Sequence, residues 1–157
     1  MSDRRRLNVQ LIRLNKEIPL PEYATTGSAA IDLYADIAKD IVLFAGERAT
    51  IGTGYKLWHS DPAWAGLILP RSGLGSNGLV LKNTVGLIDS DYQGELIIAA
   101  WNSNPTGSIT IPSYKTGKAF AQYIYVPVAK AHIIEVDSFP ETTARADGGF
   151  GSTDRCL

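Results

Sequence analysis

Short β-like runs, broken again and again by turn residues, constrain this chain more than any other feature. Apolar or alternating runs recur at residues 7–12, 29–35, 41–44, 49–58, 63–69, 79–88, 95–101, 108–111, 119–128 and 131–136. β-Branched and aromatic residues are frequent in them. Turn signals such as Ala45-Gly46-Glu47, Asn104-Pro105 and Thr116-Gly117-Lys118 separate them. No window of about a dozen residues carries a helical period with caps at both ends. The pattern predicts an all-β fold, a sandwich or jelly roll. Pro19 and Pro21 mark an extended connection, and alternation is lost from about Phe139 onward. No internal repeat is present.

The 157 residues suit one domain able to bury its own core. A net charge of −1 lacks the basic footprint of a duplex nucleic-acid binder, so any anion site is expected to be local. The run Arg4-Arg5-Arg6 is followed by the alternating Leu7-Asn8-Val9-Gln10 rather than an apolar signal-peptide core, and reads as the solvated start of a strand. No apolar stretch approaches the ~20 residues of a bilayer span. The single cysteine, Cys156, rules out an internal disulfide, and a reducing cytoplasm is expected.

Four segments hold the wrong residues for a plain β-core. Ser28-Ala-Ala-Ile-Asp32 sets a carboxylate in an apolar run, so Asp32 needs a cation, a metal or a donor network. Pro70-Arg71-Ser72-Gly73 ends a hydrophobic run with an arginine fork, a hydroxyl and a closely approachable backbone, which suits phosphate. Gly86-Leu87-Ile88-Asp89-Ser90-Asp91-Tyr92 places a carboxylate at a strand end with an aromatic ring three residues on. Gly117-Lys118-Ala119-Phe120-Ala121-Gln122 sets an amide inside a hydrophobic strand, where it requires a hydrogen-bonding partner.

A fifth stretch lies near the C-terminus: Arg145-Ala-Asp-Gly-Gly-Phe150-Gly151-Ser152-Thr153. By composition alone it reads as a disordered Gly/Ser tail. With the upstream motifs it reads as a lid, in which glycine N–H groups, two hydroxyls and Arg145 meet phosphate oxygens and Phe150 stacks on a base.

Several local patterns lead nowhere. Gly73-Leu-Gly75-Ser-Asn-Gly78 matches a dinucleotide-binding fingerprint, but that motif needs a helix to follow, and Leu79-Val80-Leu81 is β-rich. Asp89-Ser-Asp91-Tyr-Gln93-Gly94 resembles the start of a calcium loop, but Ala100 stands where the glutamate is required. His59 and His132 have no second ligand at metal spacing, and Trp58, Trp64 and Trp101 read as core.

The five segments, in this order, resemble the trimeric dUTPase family: Gly27-Ser-Ala-Ala-Ile-Asp32-Leu33, Pro70-Arg71-Ser-Gly-Leu-Gly75, residues 86–94, residues 117–122 and residues 145–153. The resemblance implies a distorted jelly-roll core over residues 1–138 with a flexible C-terminal arm over 139–157. It also implies a homotrimer with shared active sites. The implied reaction is hydrolysis of dUTP to dUMP and pyrophosphate with Mg²⁺, which keeps uracil out of DNA and supplies dUMP for thymidylate synthesis. Carried over by position, Asp89 would activate the attacking water. Arg71, Ser72 and Gly73 would hold phosphates with Gln122, and Asp32 would bind the metal through water. Asn83 and the backbone through Gly86, Leu87 and Ile88 would read uracil from a tight β-hairpin, and Tyr92 would lie against the deoxyribose. Arg145, Phe150, Gly151, Ser152 and Thr153 would close over base and γ-phosphate. The chain departs from the pattern at Lys118, where an acid is usual, at Ala119, where arginine is usual, and at Ala146 and Asp154, where glycine is usual.

Two other readings compete. A dCTP deaminase-like enzyme shares this fold but lacks the glycine-rich tail. A nucleotide-dependent regulatory binding module would have no use for both Asp32 and Asp89 beside a triphosphate unless a metal were bound.

Overall fold

The computed structural model describes residues 7–144 together with Ala146 and Asp147. Eleven strands run through it: β1 (Gln10–Arg13), β2 (Ile31–Leu33), β3 (Ile41–Phe44), β4 (Arg48–Gly52), β5 (Tyr55–Trp58), β6 (Trp64–Pro70), β7 (Leu79–Leu81), β8 (Gly86–Ile88), β9 (Ile97–Asn102), β10 (Ser108–Ile111) and β11 (Ala121–Pro127). The helical pieces are one short helix, α1 (Ser72–Ser76), and a 3₁₀ turn at Tyr114–Thr116. The architecture is the expected all-β, jelly-roll-like one. Among the described residues no helix is long and apolar enough to cross a membrane.

Every ladder between these strands is antiparallel, which lets short turns join neighbours. The central sheet has the order β2-β11-β6-β8, and β4-β9-β7 forms a second sheet. Two ribbons, β1-β5 and β3-β10, complete the set. Alternation places one face of each strand inward: Ile31 and Leu33 flank Asp32, and Ala121 and Tyr123 flank Gln122. The inward set, including Leu33, Tyr55, Ile98, Ile111, Phe120 and Tyr123, is almost free of solvent. Each such side chain contributes roughly 1.5–3 kcal/mol of burial.

Three runs divide or dissolve. The run 49–58 breaks at Thr53–Gly54, where Gly54 takes a φ of 70°, and its halves join different sheets. The run 79–88 likewise splits, β7 pairing with β9 and β8 with β6. Residues 131–136 form no strand, although the run is largely apolar and carries β-branched residues. Among the described residues no strand edge pairs with their backbone, and Ile133 and Ile134 are 88% and 70% exposed. The three tryptophans are half-buried rather than core. His59 is a satisfied core histidine, its Nε2 3.1 Å from the Trp64 carbonyl and its ring edge-on to Tyr125.

Candidate active site

Two clusters gather the residues singled out above. The first forms where β2, β11 and the end of β6 lie side by side. Register sets Gln122 opposite Asp32 on one side and Leu69 on the other. Arg71 follows directly from β6, its N–H bonded to the Phe120 carbonyl at 3.1 Å. Its Nη1 donates to Asp32 Oδ1 at 2.7 Å, so the carboxylate in the apolar run has found its cation. The Asp32 side chain is 19% exposed and that of Arg71 41%, which leaves much of the guanidinium facing outward. Gln122 Nε2 donates to the Pro70 carbonyl at 2.9 Å. The amide donor expected to meet phosphate is thus committed to the backbone that carries Arg71. Nearby, burial raises the Tyr34 pKa, the Asp32 and Glu22 carboxylates raise it further, and Arg71 opposes them.

A cleft of about 440 Å³ opens here, lined by Asp32, Arg71, Ser72, Gly73, Lys118 and Ala119 among others. Among the described residues, its chain neighbours and the backbone of α1 apart, nothing lies within 4 Å of where a Cβ on Gly73 would stand, so the missing side chain leaves open space. Lys118 is exposed on the rim and adds a second cation to a wall otherwise cationic only at Arg71. In the sequence Lys118 stands out only as a departure from the resembled pattern, where an acid is usual, and not as a site residue. Asp32 is the one carboxylate in this lining. Among the described residues no three His, Cys, Asp or Glu side chains converge as a metal cage. The donor set fits a hydrated Mg²⁺ held jointly with phosphate oxygens, and does not fit an all-protein site.

The second cluster spans residues 83–95. Asn83 is exposed at a turn tip, and Thr84 holds a φ of 63°, the left-handed region that a β-branched residue rarely enters. The Thr84 N–H donates to the Leu81 carbonyl at 2.7 Å and the Val85 N–H to the Asn83 carbonyl at 2.7 Å. One bridge, Leu81 to Thr84, replaces the expected hairpin ladder, because β7 and β8 diverge into different sheets. Gly86 is buried, Leu87 is 63% exposed and Ile88 is half-buried. Asp89 is exposed immediately after β8, and its carbonyl accepts from the Tyr92 N–H at 3.2 Å. The Tyr92 ring is 40% exposed, with its hydroxyl donating to the Glu95 carbonyl at 2.8 Å.

These clusters do not meet within one chain. β8 pairs with β6 so that Ile88 faces Gly66, and Asp89 therefore leaves near the beginning of β6, whereas Arg71 leaves from its end. None of Asn83, Asp89 and Tyr92 lines the cleft at Arg71. Arg145, Phe150, Gly151, Ser152 and Thr153 lie outside the described residues. A larger apolar groove of about 740 Å³, bordered by Val9, Leu57, Trp64 and Tyr125, includes none of the expected site residues.

A family model described as dUTPase matches residues 16–154. The chain is 51% identical over 140 residues to the deoxyuridine 5'-triphosphate nucleotidohydrolase of Ectopseudomonas mendocina (strain ymp), covering 88% of this chain and 89% of that protein. It is 47% identical over 154 residues to the enzyme of the same name from Psychrobacter sp. (strain PRwf-1), covering 94% and 97%. Among solved structures, Staphylococcus bacteriophage 80alpha dUTPase with dUPNHPP superposes at a TM-score of 0.77, with 25% identity and coverage of 93% and 98%. A mutant of the dUTPase from phage phi11 of S. aureus, described with a coordinated structural Mg(II) ion, has a TM-score of 0.72 at 24% identity over 85% of this chain and 99% of that one; its likeness speaks for the fold.

Proposed function

This chain belongs to the dUTPase family, and from that premise we propose that it hydrolyses dUTP to dUMP and pyrophosphate with Asp89 as the base that activates water. Family membership selects the hydrolase over the deaminase and binding-module alternatives. The observation that carries the reading is the cleft at Arg71, where an arginine fork, the Ser72 hydroxyl and the open space at Gly73 converge beside Lys118. These groups suit the oxygens of a triphosphate.

In this reading Arg71, Ser72 and Gly73 hold the phosphates, and Gln122 keeps their backbone in place through the Pro70 carbonyl. Asp32 orients the outward-facing guanidinium through its ion pair. Asp32 would also hold Mg²⁺ through water, and the ion would supply charge neutralisation at the phosphates. Asn83 and the backbone of residues 84–88 read the uracil edge, and Tyr92 lies against the deoxyribose. Asp89 takes the proton of the water that attacks the α-phosphorus, which suits an exposed carboxylate at a strand end. Arg145, Phe150, Gly151, Ser152 and Thr153 close the site, and residues 139–157 act as the arm that brings them there.

The wide spacing of Asp89 and Arg71 supports a homotrimer in which one copy supplies Asp89 and Tyr92 and a neighbour supplies Arg71 and Asp32. A cytoplasmic place, beside the nucleotide pool, belongs to the same proposal. Pyrophosphate release measured across the eight common nucleoside triphosphates tests the function. Release from dUTP far above the others is expected; ammonia release from dCTP without pyrophosphate would overturn it.

A further inference from the structure

Tyr92 stands in an exposed loop, so something must hold its ring in one place if it is to select a sugar. Two contacts do so. Its hydroxyl donates to the Glu95 carbonyl at 2.8 Å, and its ring lies over Gly94, where any Cβ would collide with it. Both contacts refer the ring to the 94–95 backbone, and the question becomes what fixes that backbone.

The Glu95 side chain reaches across to the turn between β4 and β5. Its Oε1 accepts the Gly54 N–H at 2.8 Å and lies so close over Gly52 that a Cβ there would overlap it. The next residues lock the same junction. Thr53 donates to the Leu96 carbonyl from its N–H at 3.1 Å and from Oγ1 at 2.8 Å, and the Leu96 N–H donates to the Tyr55 carbonyl at 2.9 Å. Leu96 and Thr53 are fully buried, whereas Glu95 is only half-buried, so the carboxylate is the last fixed point before the loop reaches Tyr92. A carboxylate accepting a backbone N–H is a short, strong tether. A glutamate committed to a glycine amide 41 residues away, rather than to solvent, calls for a role.

We infer that Glu95 is a positioning residue for sugar selection: its carboxylate, held by the Gly54 amide, sets the Glu95 carbonyl that anchors the Tyr92 hydroxyl, and thereby the preference for deoxyribonucleotides over ribonucleotides. The inference rests on the reading that Tyr92 lies against the deoxyribose.

The test compares kcat and KM for dUTP and UTP in Glu95→Ala, Glu95→Gln, Tyr92→Ala and Tyr92→Phe, with thermal unfolding of each. Glu95→Ala should lower the dUTP/UTP ratio of kcat/KM by about tenfold or more, carried by KM, because a loosened ring no longer excludes the 2′-hydroxyl. Glu95→Gln keeps an oxygen for the Gly54 N–H and should restore the ratio to within about threefold of the unaltered enzyme. A folded Glu95→Ala with an unchanged ratio, beside a Tyr92→Ala whose ratio falls, overturns the role of Glu95 and leaves the sugar reading standing. An unchanged ratio in Tyr92→Ala overturns both. If Glu95→Ala does not fold, Tyr92→Phe carries the same prediction, since it removes only the bond to the Glu95 carbonyl. An unchanged ratio there overturns the tether.

Discussion

Asp89 and Arg71 stand toward opposite ends of one strand, β6, and the chain from Gly66, opposite the residue before Asp89, to Arg71 covers about 17 Å at about 3.3 Å per residue. A carboxylate that activates water at the α-phosphorus and an arginine that holds the phosphates serve one substrate most directly if they come from different copies. If the proposed homotrimer forms, Asp89→Asn and Arg71→Gln should each be nearly inactive on their own, the former by on the order of 10²–10⁴-fold. Co-refolded at equal ratio, they should recover roughly a quarter of the sites, since two independent one-in-two choices must both succeed. Pyrophosphate release from trimers verified as mixed is the measurement. Recovery no greater than in the separate controls would show that Asp89 and Arg71 of one copy work together.

Gln122 holds the Pro70 carbonyl through Nε2 at 2.9 Å. Gln122→Leu fills a similar volume without the donor and should cost about 1 kcal/mol of stability. The larger consequence is expected in catalysis, because Pro70 precedes the residues proposed to hold phosphate. Urea denaturation and steady-state kinetics on the same preparation should show a modest fall in midpoint and a several-fold rise in KM. An unaltered KM would confine Gln122 to structure.

Thr84 holds its φ of 63° at a backbone strain of about 1–2 kcal/mol. Thr84→Gly removes that strain but frees the unfolded chain, and the two effects should cancel to within about 1 kcal/mol. Selectivity for dUTP over dTTP should nevertheless fall, because the turn proposed to read uracil becomes looser. Unchanged selectivity would mean that the strained turn has no part in base recognition.

Burial pushes the Tyr123 hydroxyl up to about 12 in the folded protein, and burial also drives Tyr125 and Tyr55 upward. An unfolded tyrosine releases its proton near 10. The folded state therefore retains the proton longer, so the stability from neutral Tyr123 is complete below about pH 10 and is lost as pH rises from about 10 to 12. The urea midpoint should fall across that window. In Tyr123→Phe, which also removes a buried hydroxyl with no hydrogen-bond partner among the described residues, the fall should be shallower. Equal slopes would assign the alkaline loss to other groups.

Local chemistry in the sequence determined a good deal. A short apolar run between turn residues placed β3 at Ile41–Phe44, and alternation placed β10 at Ser108–Ile111, because a strand's period of two is written in adjacent side chains. The apolar neighbours of Asp32 and Gln122 required partners for both, since burial of an unsatisfied polar group is costly wherever it happens. Tertiary structure decided which partners these were: Arg71, 39 residues from Asp32, and Pro70, 52 residues from Gln122. It also decided that the run 79–88 turns at Thr84 into two sheets, and that the β-prone run 131–136 does not become a strand. A strand exists only where another edge accepts its hydrogen bonds, and an ion pair only where register brings two distant residues to one level. Composition and spacing state the need of each group. Long-range register alone determines what meets it.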